Sequence, residues 1–214
     1  MNENHRAWLW NKLGETCTAN LKKHGFDAHL VENAEAARSL VLGLVSGYES
    51  FGFGGSDTTA RLRLAEALSG AGKTVYDHNL PDLENDRRLK ARQMQLRCDC
   101  FLCSANAVAA TGEIVNVDGV GNRTSAMAFG PKKVIVVAGM NKVTADLDSA
   151  LDRIRRVAAP MRARSLGVDT PCASTGLCND CSSPMRICNI TTILHRRPLM
   201  TDVSVVLVNE ELGY

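Results

Sequence analysis

Seven of the eight cysteines in this chain stand in two bunches, and grouped thiols are the residues with the most obvious chemistry to offer. Cys172, Cys178, Cys181 and Cys188 lie in PCASTGLCNDCSSPMRICN, with gaps of five, two and six residues. Structural zinc sites usually join two Cys-x-x-Cys pairs, and only Cys178 with Cys181 makes one. Ligation by four cysteines is the ordinary shell of an iron–sulfur cluster, so the set favours a 4Fe–4S cluster, with zinc as the alternative metal. Arg162, Arg164, Arg186, Arg196 and Arg197 lie nearby in sequence and would offset the charge of a thiolate-ligated group. The plain alternative is free or paired thiols in a flexible loop. Cys98, Cys100 and Cys103 fall where a buried strand is expected, with alternation sending the first two to one face and Cys103 to the other. These three, and Cys17 on an N-terminal helix, read as packing.

Two glycine-rich stretches could hold a ligand. In FGFGGSDTT, Gly52, Gly54 and Gly55 sit between an expected strand and an expected helix, where backbone can approach a ligand closely. Ser56 and Thr58 add hydroxyls for a phosphate or carboxylate. The stretch is neither the dinucleotide fingerprint nor a phosphate-cradling P-loop; a tight turn with an Asp or Ser cap is the bland reading. The second stretch, SANAVAATGEIVNVDGVGNR (104–123), interleaves Asn106, Thr111, Glu113, Asn116, Asp118, Asn122 and Arg123 with Gly112, Gly119 and Gly121. So many polar groups between apolar strands are costly to bury without a ligand. Asp118 suits a strand end, where open α/β sheets place their sites. Arg123 could grip a carboxylate or phosphate in a bidentate fork. A hairpin of ordinary turn formers remains the alternative.

The elements that must position these residues follow from periodicity. Helices are expected at 4–24, 33–45, 58–68 (capped by Asp57), 82–97 and 146–158, the last ended by Pro160. Strands are expected at 26–31, 48–53, 73–78, 99–103, 113–117, 133–138 and 203–208. KVIVVA and VSVVLV are near-continuous apolar runs, as in strands covered on both faces. The alternation implies one α/β domain with a mostly parallel sheet flanked by helices. An N-terminal helical segment (1–45) would pack on a main domain (46–214) whose irregular loop, 165–190, carries the second cysteine bunch. Arg153, Arg155 and Arg156, mixed with Asp146, Asp148 and Asp152, read as a solvated helix face.

Composition narrows the function. Eight cysteines in 214 residues is about 4%, below the roughly 8–10% of a disulfide-built scaffold. Lys plus Arg is 25 against 23 Asp plus Glu, a net charge of +2, which argues against nucleic acid as a partner. The N-terminus lacks the pattern of a signal peptide, and the longest apolar run, Leu40 to Val45, is too short to span a membrane. A cytoplasmic setting is therefore expected, and there clustered cysteines read as metal ligands or redox groups.

FGFGGSDTT, the 104–123 segment, FGPKKVIVVAGMNK and VVLVNEELGY occur together and in order, and over roughly residues 45–214 the chain resembles the lactate-utilisation (LUD-domain, LutC/YkgG-like) family. The resemblance implies a fold similar to that of ribose-5-phosphate isomerases and CoA transferases (NagB/RpiA/CoA transferase-like). It also implies a role in oxidising lactate to pyruvate beside partner iron–sulfur oxidoreductase subunits, with a small anionic substrate or cofactor in the cleft. Gly54, Gly55 and Ser56 match its first loop. Asn106, Thr111, Asp118, Gly121, Asn122 and Arg123 match its second, and Asn141 and Lys142 close the third block. By analogy with related folds, Glu113, Asp118 and Lys142 would be the catalytic counterparts. A transferase- or isomerase-like enzyme with structural zinc, or a non-catalytic subunit, are the competing expectations.

Overall fold

The computed structural model describes residues 5–214. A six-stranded, wholly parallel sheet forms the centre, in the order β1 (Asp27–Val31), β10 (Asp202–Val208), β7 (Lys133–Gly139), β4 (Cys100–Cys103), β2 (Ser50–Phe53), β3 (Thr74–Asp77). The apolar runs earn their central place by serving two cores at once. Along β7, Val134, Val136 and Ala138 enter the core beneath α1 (His5–Lys23), while Ile135 and Val137 enter the core beneath α2 (Ala34–Leu44). A strand covered on both faces needs no polar alternation. The segment before residue 46 supplies two helices and a sheet edge, since β1 pairs along its whole length with β10.

A second, four-stranded sheet lies beside the first, in the order β8 (Val143–Thr144), β5 (Ala107–Ala109), β6 (Ile114–Asp118), β9 (Ile190–Leu194). It packs through Ala107 and Val115 against Ala150 and Ile154. Only β6 is expected from the sequence, because β5 and β8 are two or three residues long and β9 follows directly on the irregular loop.

Two helices depart from expectation. The helix expected at 58–68 is two pieces, α3 (Asp57–Arg61) and α4 (Leu64–Gly70), and Ser56 rather than Asp57 caps the first by accepting from the Thr59 N–H. The break falls at Arg63, at φ +50°, and Arg38 on α2 takes up the Leu62 and Arg63 carbonyls exposed there. Conversely, the helix does not stop at Pro160. α7 (Leu147–Arg153) runs through a wider π-helical turn, Ile154–Ala158, into α8 (Ala159–Leu166), where Pro160 sits in the first turn and lacks an N–H at little cost.

The strand cysteines pack as expected but on different faces. β4 begins at Cys100, so Cys100 faces the α2 core, whereas Cys98, ahead of the strand, turns back with Cys103 into the α1 core. Cys98 Sγ donates to the Gln95 and Cys100 carbonyls, 3.1 and 3.2 Å away. No helix among the described residues is long and apolar enough to cross a membrane.

Candidate functional site

Five strands of the large sheet end at one cleft of about 220 Å³. Gly55, Ser56 and Asp57 follow β2, His78 follows β3, Ser104 and Asn106 follow β4, Lys142 follows β7, and Gly213 and Tyr214 follow β10. Open α/β sheets leave ligands this place because loops spread apart at the carboxyl ends of the strands. The opposite wall comes from the end of β6, from the start of α6 (Asn122–Ala128), from α8 and from Ile187 and Cys188 of the cysteine loop.

Lys142 sits in the cleft floor, 3% exposed. Its Nζ lies 2.9 Å from both Thr58 Oγ1 and Ser104 Oγ. Burial, followed by Arg153 and Arg123, pushes the amine down to about 7, with Asp57 and the Cys103 thiol opposing. A lysine so placed carries a free amine in a large share of molecules at neutral pH. The strap Leu212–Gly213 crosses over it. Asn141 holds that strap by donating to Gly213 O and accepting from Leu212 N–H, and Thr58 donates to Leu212 O. Gly213 is at φ +63°, and a side chain there would come within 2.8 Å of Thr58 Oγ1 and 3.3 Å of Lys142 Nζ. The close crossing therefore requires glycine.

Asp118 and Arg123 form the second feature. Arg123 donates twice to Asp118 Oδ1, from Nε at 2.9 Å and Nη2 at 2.6 Å, and also reaches Asn106 Oδ1 and Val117 O. The fork expected to take a ligand is thus spent inside the protein. Asp118 in turn accepts from the Thr124 N–H and orders the start of α6. The less committed cation is Arg162 on α8, whose contacts to Tyr214, Ser165 and Asp57 span 3.4–3.8 Å. His78 completes the wall. Gln95 Nε2 lies within 3.0 Å of Phe53 O, Tyr76 O and His78 Nδ1. An amide nitrogen only donates, so Nδ1 is the acceptor and the His78 proton sits on Nε2. Burial and Arg92 hold the ring below the usual histidine range, so it is neutral. A side chain at Gly55 would crowd Asn79 Oδ1, 3.0 Å away, and would stand 3.5 Å from Arg162 Nη2 and 3.8 Å from His78 Nε2.

Gly55, Ser56, Asn106, Asp118, Asn122, Arg123 and Lys142 thus meet at the cleft, with Thr58 directly behind Lys142. Others chosen from the sequence do not. Glu113 and Thr111 bond each other at the β5–β6 turn, about 16 Å from Asp118 along a five-residue strand. Gly54 packs against Cys103 and Phe101, Gly121 (φ +94°) starts α6, and Asn141 holds the strap. Arg153, read as part of a solvated face, instead donates to Asn141 O and Asn106 O behind the cleft. Arg162, grouped by sequence with the cysteine loop, faces the cleft instead, and His78 and Tyr214 carry no sequence signal beyond the place of His78 at the end of an expected strand.

Cys172, Cys178, Cys181 and Cys188 line a second, smaller cavity, which shares Ala159, Ile187 and Cys188 with the cleft. Arg186 anchors its rim by donating to Cys181 O at 2.6 Å and Cys188 O at 3.2 Å. Arg196 and Arg197 bond backbone at residues 23, 198 and 201 and serve the loop in no way. Burial raises the Cys188 thiol, Arg186 opposes that, and the other three thiols add to it. Among the described residues no three His, Cys, Asp or Glu side chains stand in a group able to hold a metal ion as placed. The four donors share one cavity without being closed into a coordination shell. Thiolates repel one another, so closing such a set takes a cation between them. Donor type and number fit a four-thiolate group, while the Arg186 guanidinium is itself paired with Asp180 at 2.7 Å.

The LUD domain family profile matches residues 14–208, and so takes in part of the N-terminal helix, the edge strand, the first three sequence blocks and the start of the fourth. Among solved structures, a DUF162 family protein from Deinococcus radiodurans aligns with a TM-score of 0.54, covering 93% of this chain and 98% of its own, at 15% identity. At that identity the likeness concerns the fold. No curated protein matches.

Proposed function

Since this chain belongs to the LUD-domain family, we propose that it is a redox component in the oxidation of a small 2-hydroxy acid, lactate to pyruvate, with a 4Fe–4S cluster on Cys172, Cys178, Cys181 and Cys188. The observation that carries this reading is the wall shared by the anion-suited cleft and the four-thiol cavity. Such a cluster, when bound, takes up and passes on single electrons.

The chain's own residues handle the substrate. Its carboxylate faces the Arg162 guanidinium and the His78 Nε2–H, which both line the cleft. The neutral amine of Lys142 accepts the proton of the substrate hydroxyl. Asp118 and Arg123 neutralise each other and hold Asn106 and α6 in place, so the cleft's charge comes from Lys142 and Arg162. Conversion of lactate to pyruvate releases two protons and two electrons: the hydroxyl proton goes to Lys142, and the α-carbon hydrogen with its electron pair passes to a two-electron acceptor held by the partner subunits. Iron–sulfur oxidoreductase subunits are the partners suited to carry the electrons onward.

The test is lactate-dependent dye reduction by protein prepared without oxygen, first alone and then with candidate partner subunits. The expected result is dye reduction that disappears in Lys142→Met. Failure to bind or oxidise any 2-hydroxy acid in either preparation would remove the proposal. Stoichiometric zinc in place of iron would favour a transferase-like enzyme with a structural metal.

A further inference from the structure

We propose that Ser104 and Lys142 form a nucleophile–base pair that cleaves short acyl esters or thioesters in the cleft. The activity goes beyond the oxidation reading and needs nothing from the cysteine loop.

The pair arises from sheet topology. β4 and β7 are parallel neighbours, so the residues that follow them emerge together at the same sheet edge. Ser104 is one residue beyond β4, and Lys142 ends the short turn after β7. Both are nearly buried, 2% and 3% exposed, yet both line the cleft. Ser104 Oγ lies 2.9 Å from Lys142 Nζ.

Hydrogen-bond direction sets their roles. The Thr58 hydroxyl gives its proton to Leu212 O at 3.0 Å, so it can only accept from Lys142. Once the amine is neutral, its lone pair is left facing Ser104, whose hydroxyl then donates to it. Among the described residues the only other acceptor in reach of that hydroxyl is Ala105 O, at a longer 3.3 Å. The groups that keep the amine neutral surround it on several sides: Arg153 from α7 and Arg123 from α6, countered by Asp57 from α3 and the Cys103 thiol from β4. A serine hydroxyl on a neutral lysine is an activated nucleophile.

In the reaction Ser104 Oγ attacks the acyl carbon and its proton passes to Lys142 Nζ. The negative oxygen that forms meets a cleft wall lined by the His78 Nε2–H and the Arg162 guanidinium. Collapse breaks the bond to the alcohol or thiol, which leaves with the proton from Lys142, and the acyl group stays on Ser104. A water that gives its proton to Lys142 then releases the acid and restores the serine. The cleft volume, about 220 Å³, lies below the roughly 300–1,000 Å³ typical of drug-sized ligands, and so selects short acyl groups.

The test treats the full chain with diisopropyl fluorophosphate and maps the adduct by peptide mass spectrometry. Expected is one phosphoryl adduct, on Ser104, forming faster as pH rises through about 7. Lys142→Met should slow it about 10²–10⁴-fold, the usual worth of a positioned base, and Ser104→Ala should abolish it. No adduct on Ser104 in the folded protein, or wild-type labelling in Lys142→Met, overturns the pair. If Lys142→Met does not fold, the wild-type pH profile decides: a midpoint near 7 supports it, and a flat profile overturns it. The label reads Ser104 whether or not iron is bound, so failure here leaves the oxidation reading standing.

Discussion

The two cysteine bunches have the same side chains and opposite environments. Cys98, Cys100 and Cys103 are buried around β4, where loss of water pushes Cys98 and Cys103 up to about 12 and Cys100 well above its ordinary value. They are neutral packing groups. Cys172, Cys178, Cys181 and Cys188 sit in an irregular loop, one exposed and three half-buried, beside Arg186. Position alone decides which thiols are sealed in the core and which face a shared cavity. A regular strand buries its cysteines against neighbouring strands, whereas a loop without its own hydrogen-bond ladder can bring four of them to one cavity.

The sharpest test of that contrast is substitution on each side of it. Cys178→Ser should bring bound iron from stoichiometric to near zero, whereas Cys100→Ser should leave iron unchanged, both by metal analysis. Thiol reactivity at pH 8 in metal-free protein comes next. A thiol held near 12 is ionised in roughly one molecule in 10⁴, so the buried cysteines should react with an aromatic disulfide about 10³-fold more slowly than the loop set. Within the loop Cys188 should be the slowest. Equal rates for all eight would erase the distinction. Arg186→Gln, which loses the bonds to Cys181 O and Cys188 O, should weaken metal affinity by about 10–100-fold, as outer-sphere changes do. The smallest effect belongs to Cys100→Ser on stability. A hydroxyl without a partner in the α2 core should cost about 1–3 kcal/mol in denaturant unfolding.

What the sequence revealed follows the same division. Strands buried on both faces announce themselves as apolar runs, so β7 and β10 were legible to within a residue or so. The second sheet was not, since β5, β8 and β9 have little local pattern and exist through pairing with distant partners. Lys142, Asp118 and Asn106 could be picked out because they sit in polar strand-end segments. Glu113 has the same character, but its place at the opposite end of β6 depends on a hairpin register that no local signal fixes. Arg153 looked like one more helix-surface charge, and only the packing of α7 on the small sheet shows it bonded to Asn141 and Asn106. The helix through Pro160 was missed for a related reason. A π-helical turn just before the proline absorbs what would otherwise end it.

The central claim is that the loop cysteines, beside the anion-suited cleft, hold an iron–sulfur cluster. Purification without oxygen, followed by an absorption spectrum with iron and sulfide analysis of wild type and Cys178→Ser, tests it most directly. The account predicts a brown wild-type protein with a broad visible band and about four irons and four sulfides per chain, and a colourless variant. A colourless wild type with one zinc per chain, or a variant that keeps the band, would contradict it.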